Sequence, residues 1–162
     1  MAMPVYMFIY DDCGNLIKGD SDVCGREQSI EVLGIHHGVH IPIDGNSGKL
    51  TGTRQHMAYL IEKEIDRSSG YLYRAISSGE NLKRVELKFF RINDAGQEVE
   101  YFNTLMENSR VVNLFPLMHD IKDGSKEKFN HMEIVEFRYE KITWKYLDGN
   151  ITHSDCWNIR NS

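Results

Sequence analysis

The chain has 162 residues, of which 41% are hydrophobic and 27% charged, with a formal net charge of −5. That length suits one domain of the usual ~50–250 residues, and that composition excludes the sparse hydrophobicity of disorder. The acidic balance speaks against a general nucleic-acid binder, which needs a basic face, and the three cysteines, an odd number, make no disulfide framework and suit a reducing cytoplasm.

The N-terminus carries no Lys or Arg before the apolar run Val5 to Tyr10, which Asp11 and Asp12 end. A secretory signal needs a basic start and ~7–15 apolar residues. No segment approaches the ~18 apolar residues of a membrane span. The sequence therefore predicts synthesis and folding in the cytoplasm, with no membrane insertion.

In chain order, Val5 to Tyr10 reads as a buried strand ended by Asp11-Asp12-Cys13-Gly14-Asn15. Ser29 to Ile41 alternates, but its phase changes. Ile30 and Val32 are apolar on one parity; Leu33, Ile35, Val39 and Ile41 are apolar on the other. The change falls at Gly34 and predicts a bulge or bend there, as in curved or closed sheets. Pro42 to Arg54 is a Gly-rich loop, longer than the ~2–5 residues of an ordinary hairpin connection. Long ordered loops commonly carry function. His56 to Ile65 is ambiguous between helix and strand.

Ser69 to Ser78 reads as a helix. Ser68 and Ser69 are placed to cap its start, Leu72, Ala75 and Ile76 form one apolar stripe, and Gly79 suits a left-handed stop. Val85, Leu87 and Phe89 then alternate with charged residues, and Asn93-Asp94-Ala95-Gly96 turns the chain. Val99, Tyr101 and Leu105 return. Val111 to Met118 is a further run in which Pro116 points to an edge or bulge. Asp120 to Asn130 is a solvated loop. Between His131 and Leu147, Val135, Phe137 and Tyr139 alternate with charged residues; Asp148-Gly149 signals a two-residue hairpin into a last strand, Ile151 to Trp157. The fold class expected is mainly β: a compact antiparallel β-barrel of two curved sheets with one short α-helix on its side. The bulky inward residues Val85, Leu87, Phe89, Val135 and Phe137 are expected to fill it.

Chemistry is sparse. His36 and His40 share a strand face but stand roughly 13 Å apart at ~3.3 Å per residue, too far to share an ion. His119, Asp120, Asp123 and His131 flank one loop and carry the alternative reading, a metal-dependent hydrolase; a soluble small-ligand-binding barrel is the other alternative. No HExxH or CxxC pair occurs. Gly45 to Gly52 lacks P-loop spacing: Leu50 follows Lys49, and Ile43 occupies the first glycine's place. No catalytic residue, metal or cofactor is assigned. The aromatic residues Tyr139, Trp144 and Trp157 suit either a core or an interface.

One resemblance organises these features. Val135 to Asn158 (VEFRYEKITWKYLDGNITHSDCWN) is similar to the closing hairpin of the haemolysin-coregulated protein (Hcp) family. Other blocks agree in order: Pro4-Val5-Tyr6, Ile17-Lys18-Gly19, Ser29 to Val32, Gly48 to Arg54, Lys63 to Asp66, Ile92 to Thr104 and Met118 to Asp123. The match spans Pro4 to Asn158 and looks closest to enterobacterial-type members. The resemblance implies one Hcp-like barrel over 1–162 with an extended loop at 42–54, and no enzymatic activity. It implies a homohexameric ring, stacked into the hollow inner tube of a type VI secretion system, inside contractile sheath proteins and under a VgrG-type spike. Small effector proteins would travel in the lumen, and the protein would leave the bacterial cytoplasm without a signal peptide. By the same resemblance, Asp44, Gly48, Lys49, Thr51, Gly52 and Arg54 lie on the loop that reaches neighbouring subunits, and Ile30, Val32 and His36 face the lumen.

Overall fold

Runs of β-branched and aromatic residues set the strands. The computed structural model describes residues 3–157; Asn158 and the ends of the 1–162 unit lie outside them. Within that range the chain forms β1 (Val5–Tyr10), β2 (Leu16–Ile17), β3 (Ile30–Val32), β4 (Gly34–His36), β5 (Val39–His40), β6 (Gln55–His56), β7 (Tyr59–Glu64), α1 (Ser69–Ser78), β8 (Leu82–Ile92), β9 (Glu98–Leu117), β10 (Met132–Arg138), β11 (Lys141–Tyr146) and β12 (Ile151–Cys156). The main sheet runs β2-β1-β8-β9-β10-β7-β4, with β11 also on β9, β12 on β11 and β3 on β1. The chain is thus mainly β, and its pairings are antiparallel.

Two bends curl this sheet into a barrel. The first lies in β9, whose first part pairs β8 and β11 and whose last part pairs β10. The polar stretch Glu107 to Arg110 leaves a gap in the apolar pattern, so the sequence reads as two runs; the structure makes one strand of 20 residues. Asn108 bends it with a left-handed φ of 51°, a conformation asparagine tolerates better than most residues. The second bend is the predicted one. β3 pairs β1 in one layer, and β4 pairs β7 in the other. The side chains of Ile30 and Val32 enter the core from the first layer, Ile35 packs on it from the second, and Leu33 between them is 45% exposed. The change of phase at Gly34 is therefore a change of layer. The ladder is interrupted at Leu33, whose N–H donates to the Glu62 carbonyl at 2.8 Å.

Gly34 lies close under its neighbour across the ladder, Glu62. A Cβ there would lie 2.2 Å from Glu62 Oε2 and 3.3 Å from Glu62 Cβ. Gly34→Val is expected to cost about 1–3 kcal/mol, the usual range for overpacking. Urea unfolding of the variant checks it, and an unchanged midpoint would contradict it.

The core fills the space between layers. Met7, Ile9, Val85, Leu87, Met106 and Ile142 meet Ile61, Val135 and Phe137, all 0% exposed. Phe89 packs on this cluster while partly buried. Filled in this way, the interior favours a packed barrel over a ligand-binding one. α1 covers one side with Leu72 and Ala75, and Gly79 stops it at φ 65°. The expected serine caps are corrected. Ser68 makes no side-chain cap bond; its N–H and hydroxyl both turn to Asp66 Oδ1, while the Ser69 hydroxyl donates to Glu133. The last hairpin is corrected too. Tyr146 pairs Ile151, so the loop is Leu147 to Asn150, four residues, with Gly149 at φ 86° and Asn150 at φ 52°.

Candidate functional site: a two-stranded arm and its root

Between β4 and β7 the chain leaves the barrel as an arm. Among the described residues β5 and β6 pair only with each other, Val39 with His56 and His40 with Gln55. Further out, Thr51 N–H donates to the Pro42 carbonyl at 2.9 Å, Ile43 bridges Leu50, and Asp44 N–H donates to the Lys49 carbonyl at 2.8 Å. The expected loop is thus a hydrogen-bonded hairpin. Its tip turns at Gly48, φ 71°, a conformation that favours glycine. The arm exposes Val39, Ile41, Ile43, Leu50 and Met57; Ile43 is 61% and Leu50 68% exposed. Apolar side chains shown to water on a projecting arm mark an interaction surface.

The loop residues singled out in the sequence divide by position. Lys49, Thr51 and Gly52 are exposed along the arm. Asp44 serves the arm itself, accepting from Asn46 N–H at 3.0 Å and the Ser47 hydroxyl at 2.7 Å. Those bonds hold its carboxyl below the usual range. Arg54 lies at the root and binds its own chain: its guanidinium grips Asp155 at 2.7 and 2.8 Å and the Cys156 carbonyl at 2.8 Å.

The rest of the root went unpredicted. His56 Nε2 meets Asp155 Oδ2 at 2.7 Å, and its Nδ1 meets the Tyr139 hydroxyl at 2.5 Å. The same hydroxyl meets His37 Nε2 at 2.9 Å. Arg138 donates to the His56 carbonyl at 2.7 Å. His37 stacks on Tyr59, ring centroids 4.6 Å apart, and His56 lies 6.4 Å from Trp144 with the rings nearly parallel. These contacts tie both chain crossings of the arm to β10, β11 and β12. Arg54, with help from His56, pulls the Asp155 carboxyl down to about 2. Burial, with His56 beside it, pushes His37 down to about 4. Burial pushes Tyr59 up to about 12 and the Tyr139 hydroxyl well above its usual range. Tyr139 is 4% exposed, so of the three aromatics considered for an interface it belongs inside. Trp144 packs on the core while partly buried, and Trp157 is 43% exposed.

The lumen assignment is corrected for two residues. Ile30 is 1% and Val32 7% exposed, because they sit on the inward parity of β3. His36 is exposed at the end of β4.

His119, Asp120, Asp123 and His131 do line one cleft of about 420 Å³, with His119 against Phe129. The carboxylates are occupied by their own turns, Asp120 by Lys122 N–H and Asp123 by Ser125. Among the described residues no three His, Cys, Asp or Glu side chains are grouped to hold a metal ion. The geometry does not favour the hydrolase reading. Among the same residues no helix is long and apolar enough to cross a membrane.

Comparison with known proteins agrees with this architecture. The family model described as type VI secretion system effector, Hcp, matches residues 6–146. The chain is 36% identical to the major exported protein of Pseudomonas aeruginosa PAO1, over 97% of this chain and 96% of that one. It superposes on the Hcp1 protein of E. coli EAEC 042 with TM-score 0.88 and 56% identity, covering 96% of this chain and 99% of that one. It superposes on the secreted protein Hcp3 of P. aeruginosa with TM-score 0.79 and 30% identity, covering 98% and 100%. A barrel of two curved sheets with one helix and a projecting arm, matched over nearly its whole length, places this chain in the Hcp family of type VI secretion system proteins.

Proposed function

We propose that the chain, taken over 1–162 as one unit, is the structural subunit of a type VI inner tube. Six copies close into a ring, rings stack through the arm, and sheath contraction expels the tube under a VgrG-type spike. Small effector proteins travel in the lumen, where His36 is the remaining candidate contact. Assembly takes place in the cytoplasm, and export needs no signal peptide. The protein works by assembly rather than catalysis.

The arm carries this reading. A hairpin that bonds internally and shows Ile43 and Leu50 to water has its partner in another copy. A ring needs a heterologous contact between two different faces. Among the described residues β12 pairs only β11, and its other edge would supply one strand for such a contact. Gly48, Lys49, Thr51 and Gly52 would meet the next ring, while Asp44 shapes the tip and Arg54 anchors the root.

Two valine variants test the arm. Gly48→Val forces a β-branched residue to φ 71° and is expected to abolish stacking while rings persist. Gly45, given no part in that contact, has no such constraint, and a Cβ there meets nothing within 4 Å, so Gly45→Val should stack far better. Electron microscopy of both reads the outcome. Full-length tubes from Gly48→Val would remove the arm as the axial connector.

A further inference from the structure

Beside Arg54, the root of the arm holds titratable groups to which the proposed stacking contact gives no part. We propose that the Tyr139 hydroxyl, shared between His37 and His56 and backed by Asp155 and Arg54, is an acid-released latch that fixes the direction of the 39–56 arm. The latch stands on its own geometry; only its consequence for ring stacking rests on the reading above.

The order of protons follows from the partners. Asp155, ionised, only accepts, so His56 Nε2 carries a hydrogen. With His56 neutral, its Nδ1 is an acceptor and takes the Tyr139 proton. The Tyr139 oxygen then accepts from His37 Nε2–H. Each bond has one donor and one acceptor, so the order is unique.

A first proton reverses this order without breaking it. That holds for a proton placed on His56 Nδ1, in the ring that faces the Asp155 carboxylate, which His37 does not. His56 Nδ1–H then donates to the Tyr139 oxygen, and Tyr139 O–H turns to His37 Nε2. His37, to stay neutral while Nε2 accepts, gives up its Nε2 hydrogen and takes one on Nδ1. A second proton, on His37, ends the arrangement. Two imidazolium rings then flank one hydroxyl whose own hydrogen has lost its acceptor.

The surroundings oppose that second charge. Facing the cluster are Tyr59 from β7, Arg138 at the end of β10 and Tyr139 just after it, and Arg54 and His56 from the arm. From β12 come Asp155, Cys156 and His153, the last through its stack on Trp144 at 6.1 Å. Among the described residues the carboxylate there, Asp155, already serves both Arg54 and His56. The depression of His37 to about 4 agrees in sign. The latched arm binds fewer protons than a released arm with an ordinary histidine near ~6.5, so latching weakens as pH falls through that window. Asp155, held at about 2, adds a further loss as pH drops below ~4.

The test uses the full chain labelled with ¹⁵N-histidine. Nitrogen spectra of sedimented protein from pH 8 to pH 4 are assigned with His37→Gln and His56→Gln. The expected result is Nε2–H on both rings at pH 8, then a switch of His37 to Nδ1–H as His56 becomes charged. Charging of His37 before His56, or no tautomer switch, would overturn the proposal. Release is read by fluorescence, since the chain's two tryptophans, Trp144 and Trp157, lie 6.4 and 6.5 Å from His56. Tyr139→Phe, which lacks the shared hydroxyl, should lose this acid transition. His153→Gln should leave it in place. A transition kept in Tyr139→Phe, or lost in His153→Gln, contradicts the latch. Should Tyr139→Phe fail to fold by circular dichroism, Asp155→Asn replaces it and should charge His37 first. Particle mass at pH 8 is read in parallel: loss of rings with this titration intact would count against the assembly reading and spare the latch.

Discussion

Lys63→Met is expected to destabilise the protein by about 3–5 kcal/mol, the range for removing one partner of a buried ion pair. Lys63 on β7 and Glu133 on β10 are cross-strand partners, both 0% exposed. The Lys63 ammonium donates to Glu133 Oε1, donates to the Glu64 carbonyl at 2.9 Å and lies 3.2 Å from Asp66 Oδ1. Without it, Glu133 and Asp66 are left as two carboxylates in a site with no cation. Glu133→Gln should cost less, because Asp66 still faces the ammonium. The double variant Lys63→Met/Glu133→Leu should recover most of the loss, since a well-packed apolar pair is often no worse than a buried ionic one. Glu133 Oε2 finds no hydrogen-bond partner among the described residues, so the native pair is incompletely satisfied and its replacement costs less. Urea unfolding at one fixed protein concentration measures all three, since assembly would otherwise shift the apparent stability. Single variants within about 0.5 kcal/mol of the parent, the usual surface range, would contradict this.

The second large effect concerns the arm. Ile43→Asp/Leu50→Asp is expected to abolish stacking while leaving the ring intact. The two residues form a backbone bridge near the tip, and their side chains are 61% and 68% exposed. Burying each in a neighbour is worth about 1.5–3 kcal/mol, and the contact repeats around the ring. Two carboxylates in the same place would have to be desolvated without a partner. The barrel should keep its melting temperature, because neither side chain touches the core. Tubes of normal length by electron microscopy, or a barrel that no longer folds, would contradict this account.

Where local pattern decides structure, the sequence was legible. The phase change at Gly34 announced the crossing between layers, and Gly79 announced the helix stop. Lys63 also carried a signal, since it occupies the inward parity set by Tyr59 and Ile61; a charge on that parity demands a buried partner, though not which one. β9 was obscured by its own bend, where Asn108 and its polar neighbours imitate a loop. The arm's root was beyond reading. His37, His56 and Asp155 lie 102, 83 and 99 positions from their partners in the network. Only the folded barrel brings β12 and the arm together. Family likeness read the arm as a connector, yet placed Ile30 and Val32 toward the lumen, because it marks a strand and not which of its faces is turned inward.

The central claim is that this barrel closes into a ring. Light scattering on the purified full chain, coupled to size exclusion at neutral pH, tests it directly. Six copies of an 18.8 kDa chain give a particle of about 113 kDa, or multiples of it where rings stack. A single species at 18.8 kDa across working concentrations would contradict the account.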